Sequence, residues 1–430
     1  MNNAAYPKYD SYQDVKISWC EELPSHWTTQ PIRNLFTESR RKNGDGKNKD
    51  YLSLMANRGI IPYSEKGDVG NKMPADLSGC KLVDVDDFVL NSMNFGIGSF
   101  GVSSLKGVCS SVYVILKANS PASIRYYERI FQHPQFQTFS QSLGNGILAH
   151  RCAIGWDELK NAHFPVPPVE EIQAIAAFLD EKCATIDEAV RIKEEQIRLL
   201  AERRQILIQE AVTRGLNPDA PMKDSGIDWI GQIPAHWVVR RNFALFRETK
   251  NAGNAGLPVL SVSIHSGVSK EELSEEENIR SIIKIEDRSS YKEVRPGDIA
   301  YNMMRAWQGG IGAVHTHGMV SPAYVVARPV IDLVADYFEL LYRTPAFIRQ
   351  MDASSKGITD FRKRLYWDDF RNCLTIVPPK AEQEEIIRYS SDISAKFHHA
   401  TSLKQFQITA LREYKTSLIN AAVTGKIKVL

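Results

Sequence analysis

The chain has 430 residues, 43% of them hydrophobic, and a formal net charge of +2 at pH 7. That length fits two or more domains with cores of their own, and the composition is that of a folded chain rather than a disordered one. So balanced a charge gives no global argument for a polyanionic partner, no apolar run reaches the ~18 residues of a membrane span, and the polar opening lacks a signal-peptide core. A soluble, cytoplasmic protein without membrane contact is expected.

In chain order, residues 1–15 are polar and are expected to form a flexible N-terminus. An entry motif follows, Ile17-Ser18-Trp19 and then Pro24-Ser25-His26-Trp27, within a mixed globular stretch over 16–165. Strands are predicted at Tyr51 to Leu54, Phe88 to Asn91 and Val112 to Leu116, and a helix around Tyr126 to Phe131. Residues 166–215 read as one long helix. Pro168 sits at its start, Glu170 and Glu171 suit the first turn, and no Gly or Pro interrupts it before Gly215. Its apolar seam runs Ile186, Val190, Ile197, Leu200, Leu207, Ala211, broken by Lys193 and Arg204.

The same order then returns at an offset of about 211 residues. Ile227-Asp228-Trp229 and Pro234-Ala235-His236-Trp237 open a second globular stretch over 216–376. Strands are predicted at Val259 to Val262, Ile299 to Asn302 and Tyr324 to Ala327, and a helix around Tyr337 to Tyr342. A second long helix occupies 377–430, entered through Pro378-Pro379 with Glu382 and Glu384. Its seam is Phe397, Thr401, Ile408, Leu411, Leu418, Ala422, with Lys404 and Lys415 at the two basic positions. The expected fold class is α+β: two similar heads, separated by two long antiparallel helices that form a coiled coil, in a pseudo-two-fold internal repeat. Packing of each helix on its own head is the competing arrangement.

Two heads on paired spacers make a ruler, and a duplex turn of ~34–36 Å is a repeat on that scale. Duplicated heads diverge most where their targets differ. Ser92-Met93-Asn94-Phe95-Gly96-Ile97 stands against Met303-Met304-Arg305-Ala306-Trp307-Gln308 between well-matched segments. Arg305 and Asn94 are residue types that pair bidentately with guanine and adenine edges. Asn57 and Arg58 stand against His265 and Ser266, Lys106 against His317, and Asn145 against Lys356. These residues, with Phe95 and Trp307, are the candidate DNA contacts; matched Arg151 and Arg362 suit a sequence-independent phosphate clamp. For any one of them, surface drift is the bland alternative. Six of the seven tryptophans recur in both halves and read as core, whereas Trp307 has no counterpart. Asn91 and Asn302 can fix a turn or touch phosphate, with turn geometry favoured, and His26 and His236 read as capping or packing residues rather than catalytic ones.

No P-loop, dinucleotide fingerprint, HExxH or GxSxG motif is present. The six cysteines (Cys20, Cys80, Cys109, Cys152, Cys183, Cys373) share no position between the halves, which argues against a zinc site or disulfide in the ancestral unit. No catalytic residue and no metal ligand is assigned. A stand-alone metal-dependent DNA nuclease and a protein-only coiled-coil scaffold stay open as other readings.

The Pro-x-His-Trp openings, the strand Pro296-Gly297-Asp298-Ile299-Ala300-Tyr301-Asn302, the helix start from Pro378 to Gln383, and the helix end from Ala211 to Gly215 together resemble the specificity subunits of type I restriction–modification systems. The resemblance runs from about Ile17 to Lys426. It implies target recognition domains at 16–165 and 216–376, with helical spacers at 166–215 and 377–430. It further implies a bipartite double-stranded DNA target, two partner methyltransferase subunits acting on adenine, and a restriction subunit that can join. The chain itself would bind no cofactor; S-adenosylmethionine, ATP and magnesium would belong to the partners.

Overall fold

The computed structural model describes residues 6–56, 58–68, 72–93, 98–144, 153–254, 256–269, 290–357 and 363–430. Its contacts divide the chain into two units, Met1–Glu194 with Gln405–Leu430, and Glu195–Lys404. Each unit combines one head with a portion of both long helices.

In the first unit, an antiparallel four-stranded sheet has the order Phe36–Glu38, Tyr113–Ala118, Phe88–Asn91, Phe100–Val102. Period-two alternation in the central strands feeds two separate cores. Phe88, Leu90, Val114 and Leu116 point into the core shared with the helices. Val89, Tyr113 and Ile115 point into a smaller one, closed by hairpin residues Leu52 and Leu54 and by Val83 and Cys109. The second unit repeats this order with Phe246–Thr249, Tyr324–Pro329, Ile299–Asn302 and Ile311–Ala313. Ile299, Tyr301, Val325 and Ala327 join its helical core, and Ala300 and Val326 the opposite one. Both central strands are therefore covered on both faces, as their unbroken apolar runs require.

The strand expected at Val259 to Val262 is shorter. Pro258 offers no N–H, Val259 makes only a lone parallel bridge to Met319, and ladder pairing begins at Val262–Ser263.

The helices form as read, over Val169–Arg214 and Lys380–Val423. Within the first unit they run antiparallel. Asp187 meets Lys415 at 2.7 Å and Glu194 meets Arg412 at 2.8 Å, while Ile186 and Leu418 share one core. Within the second unit Arg204 Nε donates to Ser394 Oγ at 3.1 Å. Two of the four basic seam positions, Arg204 and Lys415, thus reach polar partners on the facing helix. The helices also pack on the heads: Ile172, Ile175 and Leu179 enter the first unit's core, and Ala211, Val212 and Ile386 the second's. Pairing and head packing coexist.

The entry motif explains its own residues. Trp27 is buried and donates from Nε1 to Glu171 Oε2 (3.0 Å), while His26 Nε2 lies 2.6 Å from Glu171 Oε1. In the second unit Trp237 and His236 hold Glu382 in the same way, at 2.9 and 2.6 Å. Each His-Trp pair therefore clamps a glutamate in the first turn of the long helix that follows its head. Each head also receives the end of the other long helix. Tyr126 donates to Val423 O (3.3 Å) in the first unit, and Tyr337 to Val212 O (2.9 Å) in the second. Gly425, at φ +69°, packs so closely on Pro24 that a Cβ would lie 2.4 Å from Pro24 Cδ. Only glycine fits that stop.

The N-terminal stretch expected to be flexible packs from Tyr6 onward. Its tyrosines find partners: Tyr6 stacks edge-on to Phe178, Tyr9 donates to Glu171 (2.7 Å), and Tyr12 donates to Gly425 O (3.0 Å). Tyr12–Ile17 forms a hairpin with Cys20–Pro24. Five cysteines are free and buried among the described residues. No helix is long and apolar enough to cross a membrane among those residues.

Candidate nucleic-acid interface

In the second unit the divergent loop from Met303 to Gln308 lies at one end of the four-stranded sheet, between strands Ile299–Asn302 and Ile311–Ala313. In the second unit, strand Ile299–Asn302 ends in an Asx turn, with Asn302 Oδ1 accepting from Met304 N at 3.0 Å. A single 3-10 turn, Ala306–Gln308, follows and stops at Gly309, whose φ is +92°. Gly310 N then donates back to Arg305 O, and Asn302 N to Gly310 O, before strand Ile311–Ala313 begins. In the first unit Asn91 Oδ1 accepts from Met93 N at 3.1 Å and Asn91 N donates to Ser99 O. The matched asparagines are turn formers, as read.

On this loop Arg305 is half-buried and gives one N–H to Gln308 Oε1 (2.9 Å). Trp307 donates its indole N–H to Met304 O (3.0 Å), so its remaining contact surface is the ring. Lys363 Nζ lies 5.4 Å from that ring's centre and is bonded to Asp352 (2.7 Å). Lys363 was not singled out in the sequence; it adjoins the matched Arg362, and that adjacency was the available signal. Two further segments meet the loop. Leu365 N donates to Met303 O (2.9 Å), which joins it to the Lys356–Arg364 bridge. The turn holding His265 comes close at Gly309, where a Cβ would lie 3.9 Å from Ile264 O. The second head thus brings Arg305, Trp307, His265 and the Lys356 segment to one end of the sheet. Lys356 Nζ itself is paired with Asp369 at 2.7 Å.

His317 is placed elsewhere. Strand Ile311–Ala313 carries the chain to the opposite end of the sheet, where Val314 O accepts from Gly297 N. There His317 Nε2 lies 3.0 Å from Glu293, and hydrogen bonds from Arg295 and His317 hold that carboxyl down to about 2. Lys106 is 3.9 Å from Asp84, beside Arg41 and Lys117. The Lys117 hydrogen bond, against burial and with help from Arg41, keeps Asp84 below the usual carboxylate range. In the first unit, exposed Arg58 sits in the turn between Leu52–Met55 and Gly59–Pro62. Asn57, Asn94, Phe95, Asn145, Arg151 and Arg362 lie outside the described residues.

His315, Asp336 and Glu339 place potential ligand atoms within 4.8 Å of one another. Both Glu339 oxygens are already engaged, one by Ala313 N and one by Arg343. The matched Glu128 of the first unit does similar work, accepting from Val102 N and Arg125. The trio is therefore read as part of the frame.

The fold, sheets and long helices together, is shared with solved chains of type I restriction–modification systems. A chain of a type I R-M system described for its complex assembly and conformational transition superposes with a TM-score of 0.65 at 15% identity, covering 94% of this chain and 99% of that one. The HsdS subunit from Thermoanaerobacter tengcongensis gives 0.51 at 15% identity, covering 94% and 98%. Among characterised proteins, the specificity subunit of the type I restriction enzyme EcoKI from Escherichia coli K12 is similar, at 24% identity over 274 residues. That match takes in 58% of this chain and 56% of the EcoKI subunit, little more than half of that relative's length. No protein-family model matches.

Proposed function

We propose that this chain is the DNA-specificity subunit of a type I restriction–modification complex. The observation that carries the proposal is the pair of heads with one frame and different loops. The glutamate clamp, the Asx turn and the sheet order recur, while the residues at the sheet end differ between the units. Each head, 16–165 and 216–376, reads one half of a bipartite double-stranded site. The helices, within 166–215 and 377–430, form one antiparallel coiled coil that relates the heads by a pseudo-two-fold axis and sets the gap between half-sites. Arg305, Trp307, His265 and Lys356 serve the second half-site, Asn57, Arg58, Asn94, Phe95 and Asn145 the first, and Arg151 and Arg362 clamp phosphates. His317 and Lys106, at the far ends of their sheets, act on the flanking backbone.

The chain acts in the cytoplasm, catalyses nothing and holds no cofactor. It directs two methyltransferase subunits to adenines in the target, and a restriction subunit joins them; S-adenosylmethionine, ATP and magnesium are theirs. Selection of bound fragments from random DNA, using the chain assembled with its methyltransferase partner, is expected to return a two-part sequence with a fixed unspecified gap. Indiscriminate binding would refute the proposal. Cutting by the chain alone with magnesium would favour a nuclease.

A further inference from the structure

The turn that carries His265 is held from behind by a rivet. Arg343, the residue closing helix Ala335–Tyr342, donates from Nη1 to Glu339 Oε1 (3.2 Å). From Nη2 it donates to the carbonyl oxygens of Ile264 (2.9 Å) and His265. Glu339 accepts the Ala313 N–H at its other oxygen (2.8 Å). One guanidinium thereby ties helix, turn and sheet edge together.

The fit leaves no slack. A Cβ on Gly267 (φ +68°) would lie 2.4 Å from Glu339 Oε1 and 2.9 Å from Arg343 Nη1. A Cβ on Gly312 would lie 2.9 Å from Gly267 Cα. Only backbone carbonyls of the turn are engaged by Arg343, and the His265 and Ser266 side chains are exposed. In the first unit the glutamate strut is present, but Gln132 stands where the second unit has Arg343. The strut is common to both heads and receives a guanidinium in each, but the first head's comes from Arg125, one turn before Glu128 on its helix, and not from the position of Arg343.

From this juxtaposition we infer that Arg343 is a positioning residue for sequence reading by the second head. It fixes the Ile264–His265 backbone so that His265 and Ser266 form a second reading element beside the Arg305 loop. The inference rests on the DNA-reading function proposed above. A planar guanidinium fork holds two acceptors in set directions, which a rotating ammonium does not.

The test uses the complex assembled with its methyltransferase partner and two DNA libraries, each randomised in one half-site. R343Q, which installs the first head's residue, is expected to lower discrimination at the second-head half-site by on the order of tenfold. The first-head half-site should be read as before. R343K should fall between wild type and R343Q, and H265A should lose discrimination at a subset of the same base positions. Amide exchange over 264–267 should rise in R343Q. Equal losses at both half-sites, or unchanged discrimination despite faster exchange, would overturn the inference. Should R343Q fail to fold, R343K and H265A carry the same comparison. A wild-type complex blind to both libraries would refute the DNA reading itself, and the exchange measurement separates that outcome from failure of the rivet alone.

Discussion

Glu171 gathers three donors, Tyr9, His26 and Trp27, whereas Glu382 receives His236 and Trp237. Burial works against the Glu171 charge, but the hydrogen bonds outweigh it and hold the carboxyl below its usual range. The unfolded chain therefore takes up the proton first as pH falls. The stability this residue confers is present above the ordinary value of 4.5 and is lost as pH drops through the lowered native value. Glu171→Gln, which turns an N–H toward those donors, should cost about 1–3 kcal/mol at neutral pH, and Glu382→Gln less; denaturant unfolding of each variant checks this. His133 runs on a different window. Burial, with Lys426 nearby, pushes its imidazole down to about 4, so stability should fall as pH drops from 6.5 toward 4. It stands as an N-cap without a side-chain cap, where the second unit's Thr344 accepts from Phe347 N (3.3 Å). His133→Thr should flatten the melting temperature across that window. The importance of His26 and Trp27 was legible in their repetition, but their partner was not. Glu171 lies 145 residues from His26, and nothing local in a His-Trp pair says which carboxylate it will clamp.

At the scale of elements, short apolar runs did most of the specifying. Phe88–Asn91 and Ile299–Asn302 were legible as strands because each is a brief unbroken apolar run ending in a turn-forming asparagine, whereas the assignment of alternate residues to two cores emerges only in the fold. Their starts are fixed by charge. Arg328 grips Asp298 with two bonds, at 2.9 and 2.8 Å, whereas Lys117 stays 3.7 Å from Asp87. Asp298→Ala should therefore cost about 2–3 kcal/mol, the partial exposure of Arg328 softening the penalty for a stranded charge, and Asp87→Ala less. Comparing the two variants by chemical denaturation checks the order. The long helices were legible because no Gly or Pro breaks them and their seams share a register. What the sequence could not reveal was the division of each seam between the two units, since that depends on contacts between residues as distant as Asp187 and Lys415. The loop candidates were legible only as divergence. Separation of His317 from Arg305 follows from strand direction, which divergence does not encode.

At the scale of the whole molecule, the proposed ruler makes a geometric prediction. Inserting one helical turn into both long helices should lengthen the coiled coil by ~5.4 Å and the gap between half-sites by one or two base pairs, leaving the half-sites unchanged. Sequencing of bound fragments would show an unchanged gap instead if the helices did not set it. The division of the chain has a consequence of another kind. The second unit is one uninterrupted stretch, Glu195–Lys404, while the first needs Gln405–Leu430 to supply Leu418, Val423 and Ile427 to its interior. Ribosomes deliver residues in order at ~5–20 per second, and nascent domains ordinarily close in the order they emerge. Here that order is inverted: the earlier-translated part waits roughly 10–40 s with Trp27 and Tyr126 lacking their cover, a window in which holdase chaperones would find it.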